Sequence, residues 1–408
     1  MTNMQDIAII GGGLNGCTLA IALAENGFSV TLIDALKNEA QTSSEFDGRS
    51  YALALASKNL LHAIGVWDQI ADHSQPMLEI KVTDGRAGQG PSPWMMHFDH
   101  AEIEEGPMGY MMEDRHLRRA LLKRIGTLDQ ITHLDGVTVN AHSIRQSHVH
   151  LSVPGRDTIN ARLIIAADGR RGDTAARAGI KKMAWGYDQS ALVCAIEHEK
   201  PHGGIAHQFF MPAGPLAILP LPGNRSSIVW SETTETAAQI QAMEDDAYLE
   251  MLRPRFGDFL GQIKLAGIRY SYPLGLSLAQ SMVAERLALI GDAAHGVHPI
   301  AGQGLNAGLK DVAALVEVLV GARRRGADIG SDVVLGDYQR WRRFDVASLA
   351  MATDGFNRLF SNDNSLLRLG RDLGMGLVNA LPGLRRSFIR EAAGLTGDMP
   401  KLMQGKPI

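Results

Sequence analysis

Two cysteines are all this chain of 408 residues has, Cys17 and Cys194, and no CxxC or Cys/His ligand spacing accompanies them. That excludes a disulfide framework and a zinc site, and Cys17, just inside the first predicted helix, reads as a small packing residue. Neither sign of charge dominates: the formal net charge is −4, so nothing global argues for nucleic acid. No apolar run approaches the length of a membrane span; Ala313 to Val320 is interrupted by Glu317 and followed by Arg323, Arg324 and Arg325. There is no internal repeat, no low-complexity tract and no nucleophile elbow. The first apolar run starts within a few residues of Met1 and leads straight into a glycine turn, unlike a secretory leader. The expectation is a cytoplasmic protein, with peripheral attachment to the cytoplasmic membrane left open.

What is present is the composition of a globular protein, 45% hydrophobic and 21% charged, long enough for two domains or one with large insertions. Its most telling segment is DIAIIGGGLNGCTLAIALAENGFSVTLID, residues 6–34. An apolar strand (Asp6 to Ile10) leads into Gly11, Gly13 and Gly16 at GxGxxG spacing, then a helix (Leu14 to Asn26), a stop at Gly27, and a second strand closed by Asp34. This complete βαβ unit is a dinucleotide fingerprint. Gly11 permits the tight turn, Gly13 lets backbone approach a pyrophosphate, and Gly16 lets the helix pack on the strand. The helix N-terminus, from Leu14 and Asn15 onward, offers free N–H groups to phosphate, and Asp34 can accept from both ribose hydroxyls of an adenosine.

Two further glycine motifs follow. LIIAADG, Leu163 to Gly169, ends an apolar strand in Asp168-Gly169. LALIGDAAHGVHPIAGQGLNAGL, Leu287 to Leu309, ends a strand at Gly291-Asp292, continues irregularly through Pro299, Gly302 and Gly304, and starts a helix near Leu305. Asp292 suits the ribityl hydroxyls of a flavin, and the amides near Gly302 to Asn306 suit the pyrimidine edge, where a reduced flavin carries negative charge. Between the motifs, Ala206 to Val229 reads as three strands separated by Pro-Ala-Gly-Pro and Pro-Gly-Asn turns. A nucleotide domain built from separated segments, with a β-rich domain inserted, is the predicted architecture; the chain turns helical after about residue 309.

The three motifs in this order, with GDAAHxxHPxAGQGLNxGLxD from Gly291 to Asp311, resemble the single-component flavin monooxygenases of the aromatic hydroxylase type. Within them the chain resembles the ubiquinone-biosynthesis hydroxylases that act on polyprenyl phenols. Asp47-Gly48-Arg49-Ser50-Tyr51-Ala52-Leu53 matches the family's arginine segment, Gly214 to Leu221 its substrate-domain strand, and Tyr272-Pro273-Leu274 and Pro400-x-Leu402 also fit. The resemblance implies a Rossmann-like α/β FAD-binding domain of three ββα layers, with an inserted, mainly antiparallel β-sheet substrate domain and a C-terminal helical segment. The implied boundaries are 1–80, 107–180 and 276–345 for the FAD-binding domain, 81–106 and 181–275 for the substrate domain, and 346–408 for the helical segment.

It also implies FAD as cofactor, NADH or NADPH as co-substrate, and hydroxylation of a polyprenyl phenol ring with O2 by way of a flavin C4a-hydroperoxide. Arg49 and Arg115 join the motif residues as cofactor contacts, and His298 and Pro299 line the expected flavin–oxygen site; no catalytic acid or base is assigned. Departures stand at Gly172 and Ala175, where the family usually has serine and arginine, and at Asp114, where it more often has a neutral amide. The HxxH pairs His97/His100 and His295/His298 lack a third ligand, so no metal is expected. Other readings are a hydroxylase of a small soluble aromatic acid, a flavin reductase or dehydrogenase that uses no oxygen, and a non-catalytic flavoprotein subunit. Asn364 to Leu395 mixes leucines with five arginines and two acids, which suits either an interfacial helix on anionic lipid or packing on the protein or a second subunit.

Overall fold

The structure, a computed structural model, describes residues 4–42, 45–88, 90–296, 303–360 and 381–408. His298, Pro299 and Gly302, and most of the stretch Asn364 to Leu395, therefore lie outside the described residues.

Continuous apolar strands need cover on both faces, and the first glycine motif supplies one. Met4–Ile10 lies at the centre of a parallel ladder, between Ile159–Ala166 and Val30–Ile33; Leu287–Leu289 and Ile131–Leu134 extend it on either side. Short antiparallel strands, Val283–Ala284, Val149–Ser152 and Ala141–Ile144, complete an eight-stranded sheet. The helix Leu14–Glu25 packs on it together with Asp114–Ile125 and Gln303–Arg324, and Ile7, Ile9, Leu19, Leu23, Leu32 and Leu315 are fully buried there.

A nine-stranded sheet carries the inserted part. Its order is His295–Gly296, Tyr270–Ala279, Lys182–His198, Arg225–Thr233, Gly214–Leu221, Ile205–Met211, Glu79–Arg86 and Gly90–Asp99, with Ile263–Leu265 beside Lys182–His198. Every pairing is antiparallel except Ile205–Met211 with Glu79–Arg86. The three strands expected within Ala206 to Val229 form where the turn residues put them. One face buries Leu192, Cys194, Leu216, Ile228 and Trp230 under the helices Thr234–Gln241 and Asp245–Phe256. A small sheet of Ser50–Ala54, Gly109–Glu113 and Gln75–Met77 brackets the hairpin Glu79–Arg86 and Gly90–Asp99 in chain order. The expected division at residues 275 and 276 falls inside Tyr270–Ala279, because that strand stays hydrogen-bonded to Lys182–His198 from Tyr270 through Ala279 apart from one bulge. The division at 80 and 81 falls inside Glu79–Arg86 for the same reason.

Candidate functional site

The three glycine motifs meet at the carboxyl ends of the parallel strands. Gly11 has φ +109°, and a β-carbon on it would stand 2.8 Å from Asp168 N and collide with Ala167 O. Only glycine permits both the conformation and the approach of the first motif to the second. A β-carbon on Gly16 would collide with Gly11 O, which is the close helix–strand packing its spacing predicted. Gly13 is exposed, precedes the first helix without a side-chain cap, and has nothing within 4 Å of where its β-carbon would be. The first amides of that helix, around Leu14 and Asn15, thus have no side-chain cap and are available to an anion.

Asp34 lies over Gly12, only 7% exposed, and already accepts Leu36 N at 3.0 Å and Gln41 Nε2 at 3.0 Å. A carboxylate has about four acceptor sites, so two remain for ribose hydroxyls. Gln41 Oε1 in turn accepts Arg118 Nη1 at 2.7 Å, and Arg118 forks onto Asp114 at 3.1 and 3.2 Å. Asp114 also accepts the Tyr51 hydroxyl at 3.0 Å and faces Arg49 Nη2 at 3.4 Å. Sequence reasoning missed this chain of side chains from Asp34 to Arg49. Its one legible signal is the i,i+4 pair Asp114/Arg118, which also explains the departure at Asp114: the buried acid there has a half-buried arginine to hold.

Arg49 is paired mainly with Asp47, through Nε at 2.7 Å. Burial alone would raise the Asp47 pKa, but the hydrogen bonds and charge of Arg49 hold it below the usual carboxylate range. Arg115 donates Nε to the buried Glu113 at 2.7 Å, Arg225 donates to the other oxygen of Glu113 at 2.7 Å, and both guanidinium groups lie over the Phe46 ring. The side chain of Arg115 is therefore engaged by protein in a cluster the sequence did not reveal, since Arg225 lies far along the chain.

In the second motif Asp168 Oδ2 accepts Thr174 N at 3.1 Å, while Oδ1 is buried with no partner among the described residues. A β-carbon on Gly172 would collide with this carboxylate, which accounts for glycine at that departure. In the third, Gly291 has φ +56° and its N–H donates to Asp311 Oδ2 at 2.9 Å. Asp292 is exposed and has no hydrogen-bond or ionic partner among the described residues. The long helix starts at Gln303, slightly before the Leu305 expected, and Gly304 has open space around it. Asn306 reaches away from that space: its Oδ1 accepts Ala54 N at 2.9 Å and Ser57 Oγ at 2.8 Å, and its Nδ2 donates to Ala52 O at 2.9 Å. It offers a ligand only backbone, and its side chain fastens the helix to the strand that follows Arg49. Asn15 Oδ1 is buried with no partner among the described residues, and its amide occupies the space beside both Gly291 and Gly308. His295, with HxxH spacing, is a buried donor to Asp311 Oδ2 at 2.6 Å, and the described residues hold no metal-binding cluster.

An uncapped helix start with a vacant glycine before it, an acid at the end of the second strand, two orphaned buried oxygens and an unpaired exposed carboxylate fit a dinucleotide flavin. Gly11, Gly13, Leu14, Asn15 and Gly16 would hold its pyrophosphate, Asp34 its adenosine, and Asp292 with Gly304, Leu305 and Asn306 its flavin half.

Comparison with known proteins agrees. Residues 4–349 match the FAD binding domain family. Ubiquinone hydroxylase UbiL of Rhodospirillum rubrum is 46% identical over 408 residues, covering 99% of this chain and 94% of that protein. The 3-demethoxyubiquinol 3-hydroxylase of Escherichia coli is 35% identical over 401 residues, covering 97% of this chain and 100% of that protein. In fold, the chain is similar to p-nitrophenol 4-monooxygenase PnpA from Pseudomonas putida, with a TM-score of 0.80, 18% identity, and coverage of 97% and 99%. The chain belongs to the family of FAD-dependent ubiquinone-biosynthesis hydroxylases.

Proposed function

We propose that this chain is a monooxygenase that uses NAD(P)H and O2 to hydroxylate the ring of a polyprenyl phenol in ubiquinone biosynthesis. The observation that carries the reading is the meeting of the three glycine motifs, Gly11 against Asp168 and Asn15 against Gly291 and Gly308, next to the exposed Asp292, which has no partner among the described residues. The relatives named for ubiquinone hydroxylation support the substrate class. FAD, when bound, supplies the two-electron reduction and the oxygen activation. The protein's part is to orient and to exclude water. The face of the large sheet turned away from its helices carries Ala195, Leu219 and Leu221, which meet Met77, Met111 and Ala52 of the small sheet. These side chains are closed on one another, Ala195 and Leu221 being 0% exposed, and would back a site for a greasy phenol with a dry apolar layer. The test is oxygen uptake with NADH or NADPH and a polyprenyl phenol, with the product identified by mass spectrometry. A ring-hydroxylated product supports the reading; NAD(P)H oxidation with no oxygen incorporated from any phenol overturns it.

A polyprenyl phenol resides in a bilayer, since each buried CH2 is worth about 0.8 kcal/mol. No helix among the described residues is long and apolar enough to cross a membrane. The described end of the C-terminal segment supports docking at the bilayer surface. Helix Pro382–Ala392 buries Ile389 among Val82, Phe98, Met108 and Phe210, and Arg385 grips Glu102 at 2.7 and 2.8 Å while Arg390 meets Glu105 at 2.7 Å. These contacts assign Arg385 and Arg390 to packing. Leu381, Leu384 and Phe388 remain 40–46% exposed along one stripe, while Arg386 is exposed on another side of the helix. An exposed apolar stripe on a short helix suits a bilayer interface. Liposome flotation of the full chain tests this: Leu384→Ser with Phe388→Ser should abolish flotation on anionic vesicles. A wild-type chain that stays in the soluble fraction, with no other protein present, overturns direct docking.

A further inference from the structure

We infer that Asp311 is the positioning residue of the flavin site: its buried carboxylate staples both ends of the segment that presents Asp292. One oxygen, Asp311 Oδ2, accepts the Gly291 N–H at 2.9 Å and the His295 Nε2–H at 2.6 Å. Between those two anchors lie Asp292, exposed, and Ala293 and Ala294, buried. Ala294 N closes the turn onto Gly291 O at 2.8 Å. The segment therefore has fixed ends and one outward side chain, and that side chain is the acid assigned to the flavin.

The other oxygen of Asp311 accepts Arg342 Nε at 2.7 Å. Asp311, Arg342 and His295 are 0%, 2% and 1% exposed. Arg342 also reaches Asp345 at 2.6 Å, and Asp345 meets Lys310 at 2.7 Å. Two acids and two bases thus balance, and the desolvation that makes a buried carboxylate costly is met by three donors. Tyr338, on the helix that carries Arg342, donates to Leu289 O at 2.9 Å and fixes the strand before the loop from the same side. A core needing only cohesion at this point would be served by apolar residues of similar volume. A directional anchor for Gly291 N–H needs an acceptor.

Asp311 also sits on the helix Gln303–Arg324, about two turns from its start. One side chain therefore sets the loop holding Asp292 against the helix start meant for the opposite edge of the flavin. His295 pairs with Leu278 in the large sheet, so the same anchor ties the flavin loop to the sheet that would hold the phenol. Flavin pose and substrate wall share one fixed point, and loss of Asp311 should misplace the flavin and not merely loosen the fold.

The inference rests on the FAD reading above. The experiment uses the full chain stripped of flavin and titrated with FAD, followed by fluorescence, visible spectrum and thermal melting, for wild type, Asp311→Asn, Arg342→Lys and Leu252→Ala. Leu252 is fully buried under the far face of the large sheet and serves as a matched destabilisation. Asp311→Asn should raise the FAD Kd by about tenfold or more and shift the flavin absorption band; Arg342→Lys, which keeps the charge but loses the fork, should show the same spectral shift with a smaller loss. Leu252→Ala should lower the melting temperature as much while leaving Kd and spectrum at wild-type values. Wild-type Kd and spectrum in either Asp311→Asn or Arg342→Lys overturns the inference, as does a loss of FAD in Leu252→Ala in proportion to its melting temperature. Should Asp311→Asn not fold, Arg342→Lys and Leu252→Ala decide the matter alone. A wild-type chain that binds no FAD overturns the earlier reading instead, a separate and recognisable result.

Discussion

The side chain of Asn15 fills the place where a β-carbon on Gly308 would stand, with Asn15 Cγ 2.7 Å from that point. The first motif's helix and the third motif's helix are held in register by this contact, and Gly291 limits the amide on another side. Alanine is favoured over glycine inside a helix by about 1 kcal/mol, so propensity alone would have Gly308→Ala stabilise the chain. Overpacking costs about 1–3 kcal/mol and wins here. Gly308→Ala should weaken FAD binding, and in an Asn15→Ala background the same change should be neutral or stabilising. A double-mutant cycle on FAD Kd and urea unfolding measures the coupling; additive effects would refute the contact's importance.

Asp292 separates binding from folding. It is exposed and makes no bond to the described protein, so Asp292→Ala removes nothing the fold uses. Its melting temperature without flavin should equal wild type, while FAD affinity falls by about tenfold, the size of a charge-assisted hydrogen bond of roughly 1.5–3 kcal/mol. Normal flavin content in this variant would remove Asp292 from the site.

His207 should give stability an acid limb. Burial, and then the charge of Lys81, lower its pKa from 6.5 to about 4, against the pull of Glu79. The unfolded chain takes up the proton near pH 6.5 and the folded chain only near pH 4. Between these values the unfolded state binds more protons, so this residue's share of stability is full above pH 6.5 and is lost as pH falls toward 4. Urea unfolding of His207→Gln across that range should be flatter with pH than wild type; identical slopes would rule the residue out.

Neither thiol should react in the native protein. Burial, aided by the charge of Asp34, pushes Cys17 up to about 12, and burial does the same to Cys194. Cys17 donates to Gly12 O at 3.1 Å, and Cys194 lies against the Tyr248 hydroxyl at 3.6 Å. A disulfide reagent at neutral pH should modify both only as fast as the chain unfolds, and rapid modification of Cys17 would show the first helix to be looser than its packing implies.

The glycines were legible because backbone approach demands them at fixed spacing: Gly11, Gly16 and Gly291 stand where their motifs implied. Alternation and turn chemistry likewise located the strands from Ile205 to Thr233. Side chains that act across the fold left no such trace. Arg342 reaches Asp311 from another helix, Arg225 reaches Glu113 from another sheet, and Gln41 bridges Asp34 to Arg118, with no periodicity joining the partners. Asn306 was legible as a motif residue, but its side chain serves the strand Ser50–Ala54. The divisions that the resemblance implies at 80 and 275 fall within the continuous strands Glu79–Arg86 and Tyr270–Ala279, whose hydrogen-bonded partners no sequence pattern marks.

The interleaving of the two large sheets has a consequence for biosynthesis. Met4–Ile10 is made well before the strands that finish its ladder, Ile159–Ala166 and then Leu287–Leu289. The loop beside that last strand is anchored only once Asp311 and Arg342 have emerged. Until then the nascent chain must carry unpaired edges of its most apolar strands, the condition in which holdase chaperones bind. The flavin loop is complete only once Asp311 and Arg342 have been made, so a chain cut short before Arg342 should hold flavin poorly and be open to proteolysis.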